Sequence, residues 1–203
     1  MSLVSLVYGH DFCSVMSDGL ATDSFGNVLD SNMEKYIKIN RRTVIGFAGS
    51  YRQYENGSNL YEIIIDFCKK AIDENGIRKA LNKIMEFIEE LPFYEQAGKV
   101  IVAIVYIGNT KLNKNPLILR AANDPSIVSG IDELTKETPL GYAVLEPNYK
   151  EGYQTGSDYL RELLIEQKEL NLDTIRNCQK LLNQYVSSID ETVNNQTSQI
   201  ILK

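Results

Sequence analysis

Histidine is nearly missing from this chain: His10 is the only one in 203 residues. A Ser-His-Asp triad or a histidine-rich metal site therefore has almost nothing to be built from. Tryptophan is absent and cysteine is scarce, with Cys13, Cys68 and Cys178 spread along the chain and no Cys-x-x-Cys spacing. Neither a disulfide framework nor a zinc site follows from that pattern. Positive charge is in deficit as well, at 21 Lys and Arg against 27 Asp and Glu, a formal net charge of -6. A general nucleic-acid binder needs a basic footprint to displace counterions from phosphate, so that class is excluded. The longest apolar run, Val100 to Ile107, is too short to span a bilayer, and no basic-then-apolar leader precedes Asp11. The expectation is a cytoplasmic protein without metal or other cofactor.

What is present is ordinary globular material, 43% hydrophobic and 24% charged, in a length that suits one domain over residues 1–203. Leu3 to Tyr8 and Phe12 to Ser17 are short apolar segments around Gly9-His10-Asp11, which predicts a hairpin. Tyr36 to Asn40 and Val44 to Gly49 form a second pair around a polar turn containing Arg41 and Arg42. Two helical stripes follow. Leu60, Ile63, Ile64, Phe67, Cys68 and Ala71 share one face, as do Ile77, Leu81, Ile84, Ile88 and Leu91 before Pro92.

Lys99 to Ile107 and Leu117 to Ala121 read as strands, with shorter ones expected at Ile127-Val128 and Tyr142 to Leu145. Helices are then expected over Asp158 to Lys168 and Leu172 to Ile189, the latter capped by Asn171, and a final strand over Ser198 to Leu202. Strands, two helices, strands, two helices, strand is an α+β order. A four-layer αββα sandwich, two antiparallel sheets with a helix pair outside each, would bury these faces.

Several residue groups carry chemistry if they meet in space. Ser17-Asp18-Gly19-Leu20-Ala21-Thr22 places a carboxylate at a strand end. Glu34-Lys35-Tyr36-Ile37-Lys38-Ile39 places an ammonium at a strand start, and Phe47-Ala48-Gly49-Ser50 ends a strand on glycine. Taken singly, Asp18 is a turn residue, Lys35 a solvated strand-edge lysine and Gly49 a strand terminus.

Together, at these spacings and in this order of elements, the segments resemble the proteasome β-subunit family of N-terminal-nucleophile hydrolases. In that family the first residue of the mature chain is the nucleophile and its own α-amine is the base. Such an amine titrates near ~8 in a free peptide, so no histidine is required. The resemblance implies that Ser2, exposed by removal of Met1, is the nucleophile. It further implies that Asp18 holds Lys35 beside Ser2, and that the Gly49 N–H forms the oxyanion hole. Ser5 is a second hydroxyl on the same strand but has no α-amine to offer.

The family's serine turn falls on Gln154-Thr155-Gly156-Ser157, which makes Thr155 a supporting residue, although Thr155 could equally cap the following helix. Its aspartate after the last helix falls on Asp190, and the serine that follows falls on Val193, which has no hydroxyl. Ala21, Thr22 and Phe47 are implied to bind substrate. The function implied is a threonine/serine-type peptidase subunit that acts on peptide or unfolded-protein substrates. A homo-oligomeric ring and a possible ATPase partner go with it. Two alternatives stand beside it: a catalytically inactive scaffold or binding subunit of the same fold, and a small-substrate amidohydrolase reshaped through residues 124–153.

Overall fold

The computed structural model describes residues 2–22, 27–49, 59–92, 98–108, 114–146 and 151–203. The tyrosines at positions 51 and 54 fall outside these residues.

The N-terminal hairpin forms as its turn chemistry predicts: β1 (Val4–Tyr8) and β2 (Cys13–Asp18) pair antiparallel, and the Gly9 N–H donates to the Phe12 carbonyl at 2.9 Å. Two strands from the far end of the sequence flank it. β10 (Gly141–Leu145) lies against β1 and β11 (Thr197–Leu202) against β2, giving the order β10-β1-β2-β11. The second sheet is an antiparallel meander of β5 (Tyr36–Asn40), β6 (Thr43–Gly49), β7 (Val100–Tyr106), β8 (Leu117–Ala122) and β9 (Gly130–Glu133) in chain order. A small ribbon, β3 (Ala21–Thr22) with β4 (Val28–Asp30), stands apart from both.

Helices α1 (Leu60–Glu74) and α2 (Ile77–Glu89) are inserted between β6 and β7, and α3 (Gly156–Ile165) and α4 (Leu172–Ile189) between β10 and β11. The architecture is α+β, with two antiparallel sheets and four helices among the described residues.

Side-chain alternation along the strands explains why some apolar runs do not alternate with polar residues. In β7, Ile101, Ala103 and Val105 join Val4, Leu6 and Val15 in a cluster between the sheets. Val100, Val102 and Ile104 face Ile64, Leu81, Ile84 and Ile88 of α1 and α2. Both faces of the strand are covered, so both must be apolar. In β1, Val7 and the preceding Leu3 instead meet Leu160 of α3 and Ile175, Leu182 and Val186 of α4.

Local chemistry starts the helices. Asn59 and Glu62 form a reciprocal capping box at α1, and the Asn171 side chain accepts the Thr174 N–H at α4. Phe67 stacks on Phe87 with ring centroids 4.0 Å apart, joining α1 to α2. Ile84 is fully buried in that helix-facing cluster. Ile84→Ala is expected to cost about 2–5 kcal/mol of stability, read by denaturant unfolding.

The region from 124 to 145 departs from expectation. Ile127 and Val128 form no strand: the Ile127 N–H donates to the Asp124 carbonyl at 3.0 Å, closing a turn that ends at Ile127, and Val128 beyond it is 91% exposed. The strand is β9, three residues on, paired with β8. Helix α3 starts at Gly156 rather than Asp158 and ends at Ile165, where the Glu166 N–H returns to the Glu162 carbonyl. No helix among the described residues is long and apolar enough to cross a membrane.

Candidate active site

The end of β2 holds the chemistry. Asp18 grips the first residues of the chain twice: its N–H donates to the Leu3 carbonyl at 3.1 Å, and its Oδ1 accepts the Leu3 N–H at 2.7 Å. Lys35 Nζ lies 2.7 Å from the same Oδ1 and donates to the Leu20 carbonyl at 2.6 Å. The other carboxylate oxygen takes the Leu20 N–H at 2.9 Å. Both side chains of the ion pair are fully buried. Burial pushes the Lys35 ammonium below its ordinary range, opposed by the charge and hydrogen bond of Asp18.

Lys35 reaches this place because it enters β5 at the edge of the five-stranded sheet. Its carbonyl accepts the Phe47 N–H at 2.9 Å from β6, while its side chain crosses to β2 in the other sheet. The ion pair thus ties the two sheets together at the point where the chain begins.

The turn after Asp18 is equally constrained. Gly19 N–H is shared between the Gln196 carbonyl at 2.9 Å and Asn194 Oδ1 at 3.0 Å, and the Gly19 carbonyl accepts the Met33 N–H at 2.9 Å. A Cβ on Gly19 would stand 2.4 Å from the Ser31 carbonyl oxygen, so only glycine fits. Asn194 Nδ2 bonds that same Ser31 oxygen at 3.1 Å, and Asn183 Nδ2 of α4 bonds the Asn194 carbonyl at 2.7 Å. These amides join the segments that carry Asp18 and Lys35. Neither Asn183 nor Asn194 is among the residues expected from sequence; the signal for Asn183 is its spacing four residues from Gln179 on an otherwise apolar helix face. Asn183 Oδ1 is buried with no hydrogen-bond partner among the described residues.

Gly49 closes β6 opposite Val100, with φ +126°, and a Cβ there would stand 1.9 Å from the Lys99 carbonyl oxygen. Behind that contact Lys99 Nζ pairs with Asp124 Oδ2 at 3.0 Å, and Asp124 Oδ1 accepts from the Ser126 N–H and hydroxyl. These bonds, the Ser126 ones foremost, hold the Asp124 carboxyl down at about 2. Its native value lies below its unfolded one near ~3.9, so the stability it contributes is complete above that value and lost as pH falls toward about 2. Asp124→Asn is expected to flatten the acid limb of the stability profile in that window, read by unfolding at stepped pH.

The remaining expected residues divide into two groups. Ser2 is 2% exposed and directly precedes the gripped Leu3, and Ala21 is buried in β3. Thr22 pairs through its backbone with Val28, and its side chain lies outside what is described. Phe47 is buried beneath β6 with Tyr61 edge-on at 5.1 Å.

Thr155 and Asp190 serve local structure. The Thr155 hydroxyl caps α3, accepting the Asp158 N–H at 3.0 Å and donating to Asp158 Oδ2 at 2.8 Å. Asp190 Oδ1 accepts from the Thr192 N–H at 2.8 Å and hydroxyl at 2.5 Å. None of these bonds joins either residue to Ser2, Asp18 or Lys35. Val193 is buried in the cluster that contains Leu3. His10 stays in its hairpin turn, with Nε2 3.2 Å from the Thr135 carbonyl oxygen. No group of three or more His, Cys, Asp or Glu arranged to hold a metal occurs among the described residues.

The arrangement sets a buried ammonium and the N–H of Leu3, the residue after Ser2, on one carboxylate oxygen. No family model matches the sequence, and no curated protein matches it. Among solved structures, the chain is similar to eukaryotic HslV from Trypanosoma brucei. The TM-score is 0.63 at 16% identity, over 99% of this chain and 99% of that one. At that identity the likeness shows the fold: this chain folds as HslV does.

Proposed function

We propose that this chain is a proteasome-like hydrolase subunit, a single four-layer αββα domain that cleaves peptide bonds with Ser2 as an N-terminal nucleophile. One observation carries the reading. Leu3 N–H and Lys35 Nζ share the Asp18 Oδ1 oxygen, each at 2.7 Å, inside a pair that is fully buried. The Ser2-Leu3 peptide bond and an ammonium with no surface role are thereby held on one carboxylate oxygen, beside the residue where such chemistry needs a cation.

With Met1 removed, the Ser2 α-amine accepts the proton of the Ser2 hydroxyl as Oγ attacks the peptide carbonyl carbon. Lys35, held by Asp18, favours the deprotonated amine and the forming alkoxide through its positive charge. The Gly49 N–H donates to the oxyanion of the tetrahedral intermediate. The scissile C–N bond breaks, the substrate's amine leaves with the proton returned by the Ser2 α-ammonium, an acyl ester remains on the Ser2 Oγ, and water hydrolyses it. Ala21, Thr22 and Phe47 are assigned to substrate binding, and Thr155 and Asp190 to support of the site through the turns they order. In this reading copies of the chain assemble into a cytoplasmic ring that encloses the sites and takes unfolded protein from an ATPase partner.

A second reading, a scaffold subunit with a silent site, is favoured by Val193, which puts a methyl-bearing side chain where a supporting hydroxyl is expected. Fluorogenic peptides and small acyl amides offered to a chain that starts at Ser2 separate the readings. Peptide cleavage that disappears in Ser2→Ala supports the peptidase. Turnover of small amides alone supports the amidohydrolase, and no turnover of either leaves the scaffold.

A further inference from the structure

We infer that Asn123 is a positioning residue for the oxyanion donor, fixing Gly49 through the backbone of Gly98 to Val100; the inference rests on the peptidase reading above. Gly49 has left-handed backbone geometry, and its close neighbour is the Lys99 carbonyl, which is where its missing Cβ would point. Where that carbonyl sits therefore decides where the last peptide group of β6 can sit, and with it the direction of the Gly49 N–H.

Lys99 lies just outside β7, past the last residue of β8 that pairs with that strand. Asn123 supplies the next rung with its side chain. Its Oδ1 accepts the Val100 N–H at 2.8 Å, and its own N–H donates to the Val100 carbonyl at 3.2 Å. Its Nδ2 donates to the Gly98 carbonyl at 2.9 Å and the Pro92 carbonyl at 3.2 Å. One carboxamide thus holds the residues on both sides of Lys99, and the next residue, Asp124, holds the Lys99 ammonium.

The requirement is specific to asparagine. The site asks for one acceptor and two donors on a single planar group, which only a carboxamide provides. Aspartate would keep the acceptor but set its second oxygen against two carbonyls, and glutamine is one methylene longer. Asn123 is 5% exposed, so water does not readily replace the lost bonds. Displacements of an angstrom at a reacting centre cost on the order of 10²-fold in rate.

The test uses the full chain beginning at Ser2, with glycine labelled by nitrogen-15, as wild type, Asn123→Ser and Asn123→Ala. The expected result is kcat reduced about tenfold or more in Asn123→Ala with KM held within about twofold, and Asn123→Ser between it and wild type. A peptide boronate is expected to weaken in step with kcat, while the cleaved product peptide binds as before. The Gly49 amide resonance is expected to shift, and that of Gly46, in the middle of β6, to stay in place. An unmoved Gly49 resonance in both variants overturns the inference, as does a shifted resonance with kcat unchanged. If the wild type cleaves nothing, the peptidase reading fails and the Gly49 resonance alone decides whether the Asn123 linkage stands. Asn123→Ser keeps the test open if Asn123→Ala does not fold.

Discussion

Lys35→Met is expected to lower peptide cleavage by about 10²- to 10⁴-fold and to destabilise the fold, because the buried ammonium serves both purposes. In the wild type the Asp18 carboxylate takes three donors: the Leu3 and Leu20 N–H groups and Lys35 Nζ. Methionine fills the space but leaves a buried carboxylate with its two amides and no cation, and orphans the Leu20 carbonyl. Breaking one side of a buried pair costs about 3–5 kcal/mol, and the two backbone donors put this case toward the lower end. Arginine is not expected to rescue, since a fully buried lysine site has no room for a planar guanidinium.

The pH dependence carries a further signature. Burial holds the native Lys35 below its unfolded value near ~10.4, so unfolding takes up a proton and stability from this group rises with pH toward that value. Lys35→Met removes that rise. Asp18→Asn is expected to abolish cleavage because Lys35 loses its counter-charge, and to cost stability as well, because the single amide oxygen can accept from only one of the Leu3 and Leu20 N–H groups. Equal stability profiles for wild type and Lys35→Met across pH 7 to 10 would contradict this account.

Gly49→Ala is expected to be the most damaging glycine substitution in the described chain. Its φ of +126° strains any side chain by about 1–3 kcal/mol, and the new Cβ would lie 1.9 Å from a backbone oxygen that cannot rotate away. The strand end must then shift, which moves the N–H assigned to the oxyanion. Loss of one such donor costs about 10²- to 10³-fold in kcat, so cleavage should fall by at least that factor alongside the loss of stability. Gly76→Ala is the matched control: that residue is the N-cap of α2 with φ -65°, and a Cβ there meets nothing within 4 Å. It should leave both stability and cleavage nearly unchanged. Comparable effects at the two positions would remove the special role given to the Gly49 geometry.

Asp18, Lys35 and Gly49 are singly ordinary strand-end residues and stand out only jointly, through the resemblance to the proteasome β-subunit family; of them the fold pairs Asp18 with Lys35. The helix pairs were legible from their apolar stripes, and Asn59, Asn171 and Thr155 act as caps through the side-chain oxygens such positions favour. What stayed hidden depends on long-range pairing. β9 reads Gly-Ile-Asp-Glu and carries little apolar content, and it is a strand because β8 offers it an edge. Ile127 and Val128 have better strand propensity and no partner, and the hydrogen bonds around Asp124 take that segment into a turn. Asn123, Asn183 and Asn194 are single amides whose partners lie 23, 11 and 175 residues away in the hydrogen bonds that matter most. Asn183 is marked only by its i, i+4 spacing from Gln179, and no local pattern marks Asn123 or Asn194, because their role exists only once the sheets and α4 have met.

Covalent labelling decides whether Ser2 is a live N-terminal nucleophile served by Lys35. A chain prepared with Ser2 as its first residue is treated with a β-lactone, and the adduct is located by intact mass and peptide mapping. One lactone per chain is expected, as an ester on the Ser2 hydroxyl, lost in Ser2→Ala and strongly slowed in Lys35→Met. A folded chain with a free Ser2 amine that takes no label, or takes it equally in Lys35→Met, would contradict that role for Ser2.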